Sequence, residues 1–361
     1  MEEKQRKQIL QSLPPLLLEW YDRNKRDLPW RKDTDPYRVW ISEIMLQQTR
    51  VEAAREHYIR FLRELPTVQA LADCPEDKLL KLWEGLGYYS RARNLQKAAA
   101  IVAKNGFPHT AAELKKLPGI GEYTAGAIAS ICFEESAPAV DGNVVRVLSR
   151  VLADGRSQDT LKKVLAEELS ASYPPARRGD YTQSLMELGA TVCLPSSPLC
   201  LTCPLLCVCE AKSDAFPLRK EKPKRRIFYK TLFVFCDKTR IALYRREEGV
   251  LRGTYAFFSI GREMDKGQAE AFLRLAGLKN FSLGSPLKHT HVFSHLEWHM
   301  TAYTVYSEED AAKLTLPAGE SADAPFSALF YAERSAAKRE FSLPSAYRWA
   351  LPPSDGRKVR P

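Results

Sequence analysis

Two kinds of hydrophobic periodicity divide the chain. Up to about residue 210, apolar side chains recur in segment after segment at the three-to-four-residue spacing of one helix face. Beyond residue 230, TLFVFCDKTRIALYRR and EWHMTAYTVY alternate polar and apolar positions as strands do, and KGQAEAFLRLAGL between them has helical spacing. The pattern predicts a multidomain chain, with an all-α region over residues 1–212 and an α+β domain over residues 230–361.

Capping signals mark two helix starts in the first region. Asp35-Pro36 combines a cap residue with a proline at the first helical position. Thr110-Ala-Ala-Glu113 has the spacing of a capping box, and it predicts a short helix ending at Leu117. A Pro-Gly turn at residues 118–121 and a helix of small residues from about Tyr123 to Ile131 follow. Two short helices joined by a tight turn are therefore expected near residues 110–131.

The chain is basic, with 54 Lys and Arg against 44 Asp and Glu and a formal net charge of +10. This balance favours a polyanion such as nucleic acid over an acidic metabolite as the partner. The segment LRKEKPKRRIFYK is the most basic part, and we interpret residues 213–229 as an interdomain linker, either a solvated connector or a DNA contact. No apolar run has the length of a membrane span or a signal peptide, which predicts an intracellular protein.

Four cysteines are crowded into one short segment. Cys193, Cys200, Cys203 and Cys209 have the spacing C-x6-C-x2-C-x5-C. In an intracellular protein such thiols are metal ligands more often than disulfides, and four thiolates suit an iron-sulfur cluster or zinc. The x6 and x5 spacings differ from the paired C-x2-C units of structural zinc sites, so we favour a cluster. Cys207 lies within the same segment and is a fifth candidate.

The LPGIG turn has the composition of a phosphate-binding turn. Gly119 and Gly121 let the backbone turn tightly and bring its N–H groups, together with the following helix N-terminus, against a phosphate. Such a contact holds a nucleic acid backbone without reading its sequence.

Five motifs occur in an order that resembles a known family. LPGIGEYTAGAIAS, VDGNVVRVLSR and the cysteine segment resemble the iron-sulfur branch of the helix-hairpin-helix DNA glycosylases, which contains the endonuclease III and MutY families. LPWR (residues 28–31) and VWISEIMLQQT (residues 39–49) resemble the MutY pattern. The resemblance implies a monomer that acts on double-stranded DNA, one 4Fe-4S cluster with Cys209 as its fourth ligand, and a bacterial cytoplasmic, nucleoid-associated location.

The resemblance assigns two carboxyl groups to catalysis. Glu43 occupies the position of the catalytic glutamate, amid apolar neighbours that predict a raised pKa and a proton for N7 of adenine. Asp141 would stabilise the cationic sugar, and Tyr123 and Asn143 would orient the two carboxyl groups. Endonuclease III enzymes carry a Schiff-base lysine where this chain has Tyr123, so the resemblance predicts a glycosylase without an efficient lyase step.

The resemblance also assigns residues to the substrate. The adenine pocket would contain Trp30, Arg31, Leu46, Gln183 and Glu187. Gln48 and Tyr88 would fill the space left by the flipped base, and Thr49 would contact DNA. Tyr88 lies in GLGYYSRARN, where Arg91 and Arg93 are candidate phosphate contacts.

The second domain resembles the nudix-like module of MutY enzymes. Phe293, Ser294 and His295 match the positions of its loop that recognises 8-oxoguanine. The chain has no acidic nudix box, which argues against metal-dependent nucleotide hydrolysis by this domain.

The resemblance implies a monofunctional adenine DNA glycosylase that excises adenine opposite 8-oxoguanine, or opposite guanine, in base excision repair. Two alternatives stay open at this point. One is an endonuclease III type glycosylase and lyase for damaged pyrimidines, and the other is a catalytically inactive DNA-binding scaffold that keeps the cluster for its structure.

Overall fold

The computed structural model describes residues 2–213, 215–217 and 224–352. These residues form two compact units. The first contains Met1–Cys74 and Arg93–Glu221, and the second contains Pro75–Ala92 and Lys222–Pro361. No helix of the described residues is both long enough and apolar enough to cross a membrane.

The first unit is helical, as the periodicity predicts. Its helices are α1 (Glu3–Asn24), α2 (Pro36–Leu46), α3 (Val51–Glu64), α4 (Val68–Ala72), α6 (Ser90–Asn105, from Arg93 onward), α7 (Ala111–Leu114), α8 (Glu122–Phe133), α9 (Gly142–Val151), α10 (Gln158–Ser170) and α11 (Arg178–Thr191), with α5 (Glu76–Leu82) belonging to the second unit. The Asp35 side chain accepts a hydrogen bond from Arg38 N at the start of α2, which confirms the predicted cap. Helix α7 ends at Leu114 instead of the predicted Leu117, because the chain already turns at residues 115–117.

Helix α11 lies at the centre of this unit. It packs against α1, α8 and α9, and α2 packs against α8. The contact between α11 and α9 is very close, since a Cβ on Gly189 would lie 2.6 Å from Asn143 Cβ. These contacts place the predicted catalytic residues of α2, α8 and α9 around the face of α11 that carries Gln183 and Glu187.

The second unit is a mixed sheet with helices. In the described residues its strands are β1 (Arg226–Cys236), β2 (Arg240–Arg245), β3 (Tyr255–Ala256), β4 (Phe258–Ile260), β5 (Ser282–Leu283), β6 (Leu287–Val292), β7 (Leu296–Tyr306) and β8 (Phe330–Glu333). Strands β1 and β7 pair in parallel from Arg226↔Leu296 to Cys236↔Tyr306. The other pairings are antiparallel: β2 and β4 with β1, β3 and β8 with β2, and β5 and β6 with β7.

The core of this unit is aromatic. Phe233, Phe258 and Phe272 contact one another within it. The helices α12 (Lys266–Leu275), α13 (Arg334–Glu340) and α14 (Ser345–Arg348) complete the unit. The predicted α+β class is therefore confirmed in its coarse form, a helical region followed along the chain by a mixed-sheet domain.

Two predicted boundaries differ from the structure. Strand β1 begins at Arg226, inside the predicted linker of residues 213–229, because its first residues already pair with β7. Part of that linker, residue 214 and residues 218–223, lies outside the described residues. The segment Pro75–Ala92 was predicted within the glycosylase region, but it belongs to the second unit. Lys81 Nζ donates hydrogen bonds to the carbonyl oxygens of Lys338 and Phe341 at 2.5 and 3.0 Å.

Candidate active site

A large cleft in the first unit contains most of the predicted site. It has about 2520 Å³ of free space, its solvent-open mouth included. Predicted catalytic, pocket and DNA-contact residues all contribute to its lining, namely Trp30, Arg31, Glu43, Leu46, Gln48, Thr49, Gly121, Tyr123, Asp141, Asn143, Gln183 and Glu187. Sequence positions 30 to 187 are thus brought to one cavity.

Glu43 lies on α2 with only 6% of its surface exposed. Tyr123 Oη donates a hydrogen bond to Glu43 Oε2 at 2.6 Å, and it also contacts Met186 Sδ at 3.8 Å. Burial raises the pKa of Glu43 to about 7, and the nearby Asp141 carboxylate adds to this effect. The Tyr123 hydrogen bond and the Arg31 charge oppose it. This carboxyl group therefore exchanges its proton near neutral pH, as a general acid must.

Asp141 is the N-cap of α9. Its Oδ1 accepts a hydrogen bond from Val144 N at 2.7 Å, and its Oδ2 accepts one from Asn143 Nδ2 at 2.8 Å. Burial raises its pKa above the ordinary aspartate value, whereas these two hydrogen bonds lower it. The partners of Asp141 therefore favour its ionised form against the cost of burial.

Glu187 on α11 is fully buried and paired with two arginines. Arg26 donates to it from Nε at 2.7 Å, from Nη2 at 2.8 Å and from its backbone N at 3.0 Å. Arg31 Nη2 donates to Glu187 Oε2 at 2.8 Å. Burial alone would raise the pKa of Glu187, but these hydrogen bonds outweigh it and lower the pKa to about 2. Glu187 is therefore ionised at neutral pH, and it holds Arg31 at the cleft wall.

The hairpin between α7 and α8 has the geometry expected of a phosphate-binding turn. Gly119 has a φ of +79°, and a Cβ there would lie 2.8 Å from Asn94 Cβ, so only glycine fits this turn. Gly121 precedes α8, and nothing lies within 4 Å of where its Cβ would be. This open space leaves the N-terminus of α8 accessible to an anion. Among the described residues, Gly121 lines the cleft and Gly119 does not.

The two predicted wedge residues share an unusual backbone conformation. Gln48 has a φ of +61° and Tyr88 a φ of +46°, a region that non-glycine residues seldom adopt. Gln48 is exposed at the cleft of the first unit, and Tyr88 is 46% exposed in the second unit.

The predicted recognition loop is the turn between β6 and β7. Phe293 N donates to Leu296 O at 2.8 Å, and its ring packs on Trp298 at 4.8 Å between centroids. Ser294 and His295 are exposed beside it. The hydroxyl groups of Ser294 and Tyr88 form a short hydrogen bond within this unit.

The four cysteines border a second cavity in the first unit. This cavity has about 420 Å³ of free space, its open mouth included, and Cys193, Cys200, Cys203 and Cys209 all line it. Cys207 is exposed and is not one of the described lining residues. The buried Arg150 donates from Nη1 to Cys193 Sγ at 3.3 Å. A cation in contact with this thiol suits an anionic group in the cavity.

The chemistry of the donors bears on the kind of group that this cavity could hold. Four cysteine thiols border one cavity, and four thiolates are a donor set that an iron-sulfur cluster takes.

Several cleft residues were not predicted from the sequence. Arg26, Met186, Lys162 and Lys163 all line it. Arg26 precedes the LPWR motif, and Lys162-Lys163 is a basic pair on α10, so charge next to a motif was the only signal. Nothing in the sequence marks Met186 as a contact of Tyr123.

Comparisons with known proteins agree with this geometry. Residues 41–175 match the family model described as HhH-GPD superfamily base excision DNA repair protein. An adenine DNA glycosylase of Rattus norvegicus is 47% identical over 209 residues, which cover 54% of this chain and 40% of the rat protein. One of Buchnera aphidicola is 38% identical over 259 residues, which cover 69% of this chain and 74% of that protein.

A solved structure extends the comparison to the fold. The structure of a thermostable thymine-DNA glycosylase has a TM-score of 0.52 and 28% identity, and the match covers 58% of this chain and 97% of that one. The chain spans less than half the length of several curated relatives, including 40% of the rat protein and 46% of the Arabidopsis thaliana protein. The match to the Buchnera protein covers most of both chains, and with the family model it identifies this chain as a member of the adenine DNA glycosylase family.

Proposed function

We propose that this protein is a monofunctional DNA N-glycosylase that excises adenine paired with 8-oxoguanine, and with guanine more weakly. The observation that carries the proposal is the pair of unlike carboxyl groups in one cleft, the buried Glu43 with Tyr123 bonded to it and the half-buried Asp141. The names of the relatives, adenine DNA glycosylases, support the choice of base.

Glu43 acts as the general acid. With a pKa of about 7 it is protonated in about half of the molecules at neutral pH. It transfers this proton to N7 of adenine, which draws the electrons of the glycosidic bond into the departing base. Tyr123 holds the carboxyl group in place through its hydrogen bond to Oε2.

Asp141 acts as the electrostatic partner of the sugar. As the C1′–N9 bond breaks, positive charge develops on the sugar, and an ionised Asp141 held by Val144 N and Asn143 Nδ2 stabilises that charge. Water then adds its hydroxide to C1′ and releases its proton to the buried carboxyl groups. The products are free adenine and an abasic site, and the acid returns to its starting state.

The pocket for the extruded adenine consists of Trp30, Arg31, Leu46, Gln183 and Glu187. Trp30 is held edge-to-face against Tyr58 at 5.4 Å between centroids, so its orientation is fixed before substrate arrives. Glu187 fixes Arg31 in the same way. Flipping a base costs a few kcal/mol, and a preformed pocket with Gln48 and Tyr88 as wedges offsets part of that cost.

The rest of the duplex contacts two further regions. Gly119 and Gly121 present backbone N–H groups to a phosphate, and Thr49 contacts DNA beside Gln48. Phe293, Ser294 and His295 of the second unit recognise 8-oxoguanine in the opposite strand, which makes that unit a nudix-like recognition domain without hydrolase activity. We assign the protein to the cytoplasm, bound to the nucleoid as a monomer.

We assign one 4Fe-4S cluster to Cys193, Cys200, Cys203 and Cys209. The shared cavity and the contact between Arg150 and Cys193 support this assignment. The cluster would fix the loop of residues 193–209 and takes no part in bond cleavage. Iron and sulfide analysis with a visible spectrum tests the assignment, and stoichiometric zinc without iron would overturn it.

The test of the activity uses four duplexes that present adenine opposite 8-oxoguanine, G, C and T. Strand scission after alkali will be fastest for 8-oxoguanine, slower for G and absent for C and T. Glu43→Gln will abolish release and preserve duplex binding, whereas Glu56→Gln, the same change at an exposed residue of α3, will preserve both. Adenine release by Glu43→Gln at the wild-type rate would remove Glu43 from its role.

A second assay separates this function from that of a lyase. Wild-type protein incubated with borohydride and a thymine glycol duplex will form no covalent complex, because Tyr123 has no amine with which to form an imine. A trapped complex would favour the pyrimidine-damage alternative.

A further inference from the structure

The loop of residues 84–89 in the second unit has a strained backbone. Three of its residues have positive φ, namely Gly85 at +103°, Gly87 at +68° and Tyr88 at +46°. Glycine adopts this conformation freely, but for tyrosine it persists only where neighbouring groups hold it. The exposed Tyr88 ring therefore depends on contacts that fix the loop beneath it.

Arg91 supplies those contacts. Its Nη2 donates hydrogen bonds to Leu86 O at 2.8 Å and to Gly87 O at 3.3 Å. Its guanidinium carbon lies 5.5 Å from the Trp83 ring centroid and 5.6 Å from the Tyr88 ring centroid. One planar cation thus bonds the loop carbonyls and packs on the ring that the loop presents.

Trp83 also holds this loop in place, from its buried side. It is fully buried, and its Nε1 donates to Gly87 O at 3.1 Å, so this carbonyl accepts bonds from both Trp83 and Arg91. Glu84, next in the chain, forms ion pairs with Lys81 and Arg348 at 2.5 Å. The hydrogen bond of Trp83 and the ion pairs of Glu84 therefore both hold the loop to the rest of the second unit.

We infer that Arg91 is a positioning residue, which holds Tyr88 in the conformation that enters the duplex and makes no phosphate contact. This inference rests on the proposed function, because it takes Tyr88 as a wedge. It replaces the interpretation of Arg91 as a phosphate contact, since its Nη2 group already faces two loop carbonyls. Burial lowers the pKa of Arg91 to about 10, which leaves it charged at neutral pH.

Binding of the intact duplex tests the inference, with all proteins carrying Glu43→Gln so that the DNA is not cleaved. Arg91→Ala is expected to weaken binding to the 8-oxoguanine duplex about tenfold or more, because an unfixed wedge is ordered only on binding. Tyr88→Ala will weaken binding to a similar degree. The double variant will bind within about twofold of Tyr88→Ala alone, because Arg91 acts through Tyr88. Effects that multiply would overturn the inference.

The salt dependence of binding distinguishes positioning from charge. A phosphate contact contributes about 0.9 to the slope of log affinity against log salt, so the Arg91→Ala slope will equal that of the parent. Lys97→Ala, which removes one charge from an exposed position of the same helix, serves as the matched control. If the slope for Arg91→Ala is smaller by about 0.9 than the slopes for the parent protein and for Lys97→Ala, the inference is overturned.

Arg91→Lys keeps the charge and guards against loss of folding. Lysine has neither a planar face nor a forked donor set, so we expect it to bind as weakly as Arg91→Ala while melting near the wild-type temperature. Rescue by lysine would show that charge alone is needed. Fluorescence of 2-aminopurine placed beside the lesion gives a second readout, and Arg91→Ala will lose the change that Tyr88 produces.

The outcomes separate this inference from the proposed function. If wild-type protein releases no adenine yet Arg91 and Tyr88 remain coupled in binding, the proposed function fails and the positioning role stands. If adenine is released and the two effects multiply, the positioning role fails alone.

Discussion

Replacing Tyr123 with phenylalanine will move the alkaline limit of adenine release to higher pH. Tyr123 Oη donates to Glu43 Oε2 at 2.6 Å, and a donor at this distance stabilises the ionised carboxylate. Without the hydroxyl group, the protonated form of Glu43 is favoured. Because the protonated form is the active acid in the proposed mechanism, activity that disappears as the pH rises through the pKa of Glu43 will persist to higher pH in Tyr123→Phe.

The size of the shift follows from the strength of the lost bond. A hydrogen bond to a charged group contributes about 1.5–3 kcal/mol, and one pKa unit corresponds to about 1.36 kcal/mol, so the pKa rises by about one to two units. The wild-type pKa is about 7, which places the new limit at about pH 8–9. At about pH 8 the protonated fraction would increase from about one tenth to at least one half.

Single-turnover rates with the 8-oxoguanine duplex, measured between about pH 5.5 and 9.5, give the position of this limit. The pH of this limit does not depend on the maximum rate. A lower maximum rate in the variant, caused by a less well oriented Glu43, therefore does not obscure the shift. Tyr173→Phe is the matched control, since it removes a buried hydroxyl group that contacts Thr182 and Ala137 O instead of Glu43. A limit in Tyr123→Phe that stays in place, or moves to lower pH, would refute Glu43 as the acid bonded to Tyr123.

Three other changes have defined outcomes. Asp141→Asn will keep the melting temperature, because asparagine caps α9 as well as aspartate does, but it will lower the single-turnover rate about 100-fold or more. Glu187→Gln will lower the urea-measured free energy of unfolding by about 3 kcal/mol at pH 7; since the pKa of Glu187 is lowered to about 2, this difference will disappear as the pH falls from about 4.5 toward 2. In Gly189→Ala the new methyl group will collide with Asn143 and lower the free energy of unfolding by about 1–3 kcal/mol, which a denaturation series measures. The same collision will displace Asp141 and lower the single-turnover rate.

The sequence predicted local features well where the signal is local. The Asp35 cap, the hairpin between α7 and α8 and the strands after residue 230 all appear within a few residues of the predicted positions. Each depends on side chains no more than about four residues apart, whose preferences act whatever the rest of the chain does. Helix α7 is the exception, because its predicted last turn is already part of the hairpin.

Long-range contacts were not predictable from such patterns. Glu187 was predicted as a pocket residue from the resemblance, but its bonds to Arg26 join positions 161 residues apart. Likewise, hydrophobic periodicity can show which face of Pro75–Ala92 is apolar, but it cannot show that this face packs in the second unit instead of the first. Arg91 was a candidate phosphate contact because the glycines of its loop permit close approach of a duplex, whereas in the structure its Nη2 group donates to carbonyls of its own loop.

The two carboxyl groups of the cleft show why their roles cannot be exchanged. Glu43 is buried and Asp141 is half-buried, and desolvation raises the pKa of each. Asp141, however, is the N-cap of a ten-residue helix, where Val144 N and the helix dipole favour negative charge, and Asn143 adds a further donor. Glu43 lies inside α2, where the helix N–H groups are already bonded, and Tyr123 is its hydroxyl donor. The proposed acid and the proposed anion therefore differ by their positions on two helices, Glu43 within α2 and Asp141 at the start of α9.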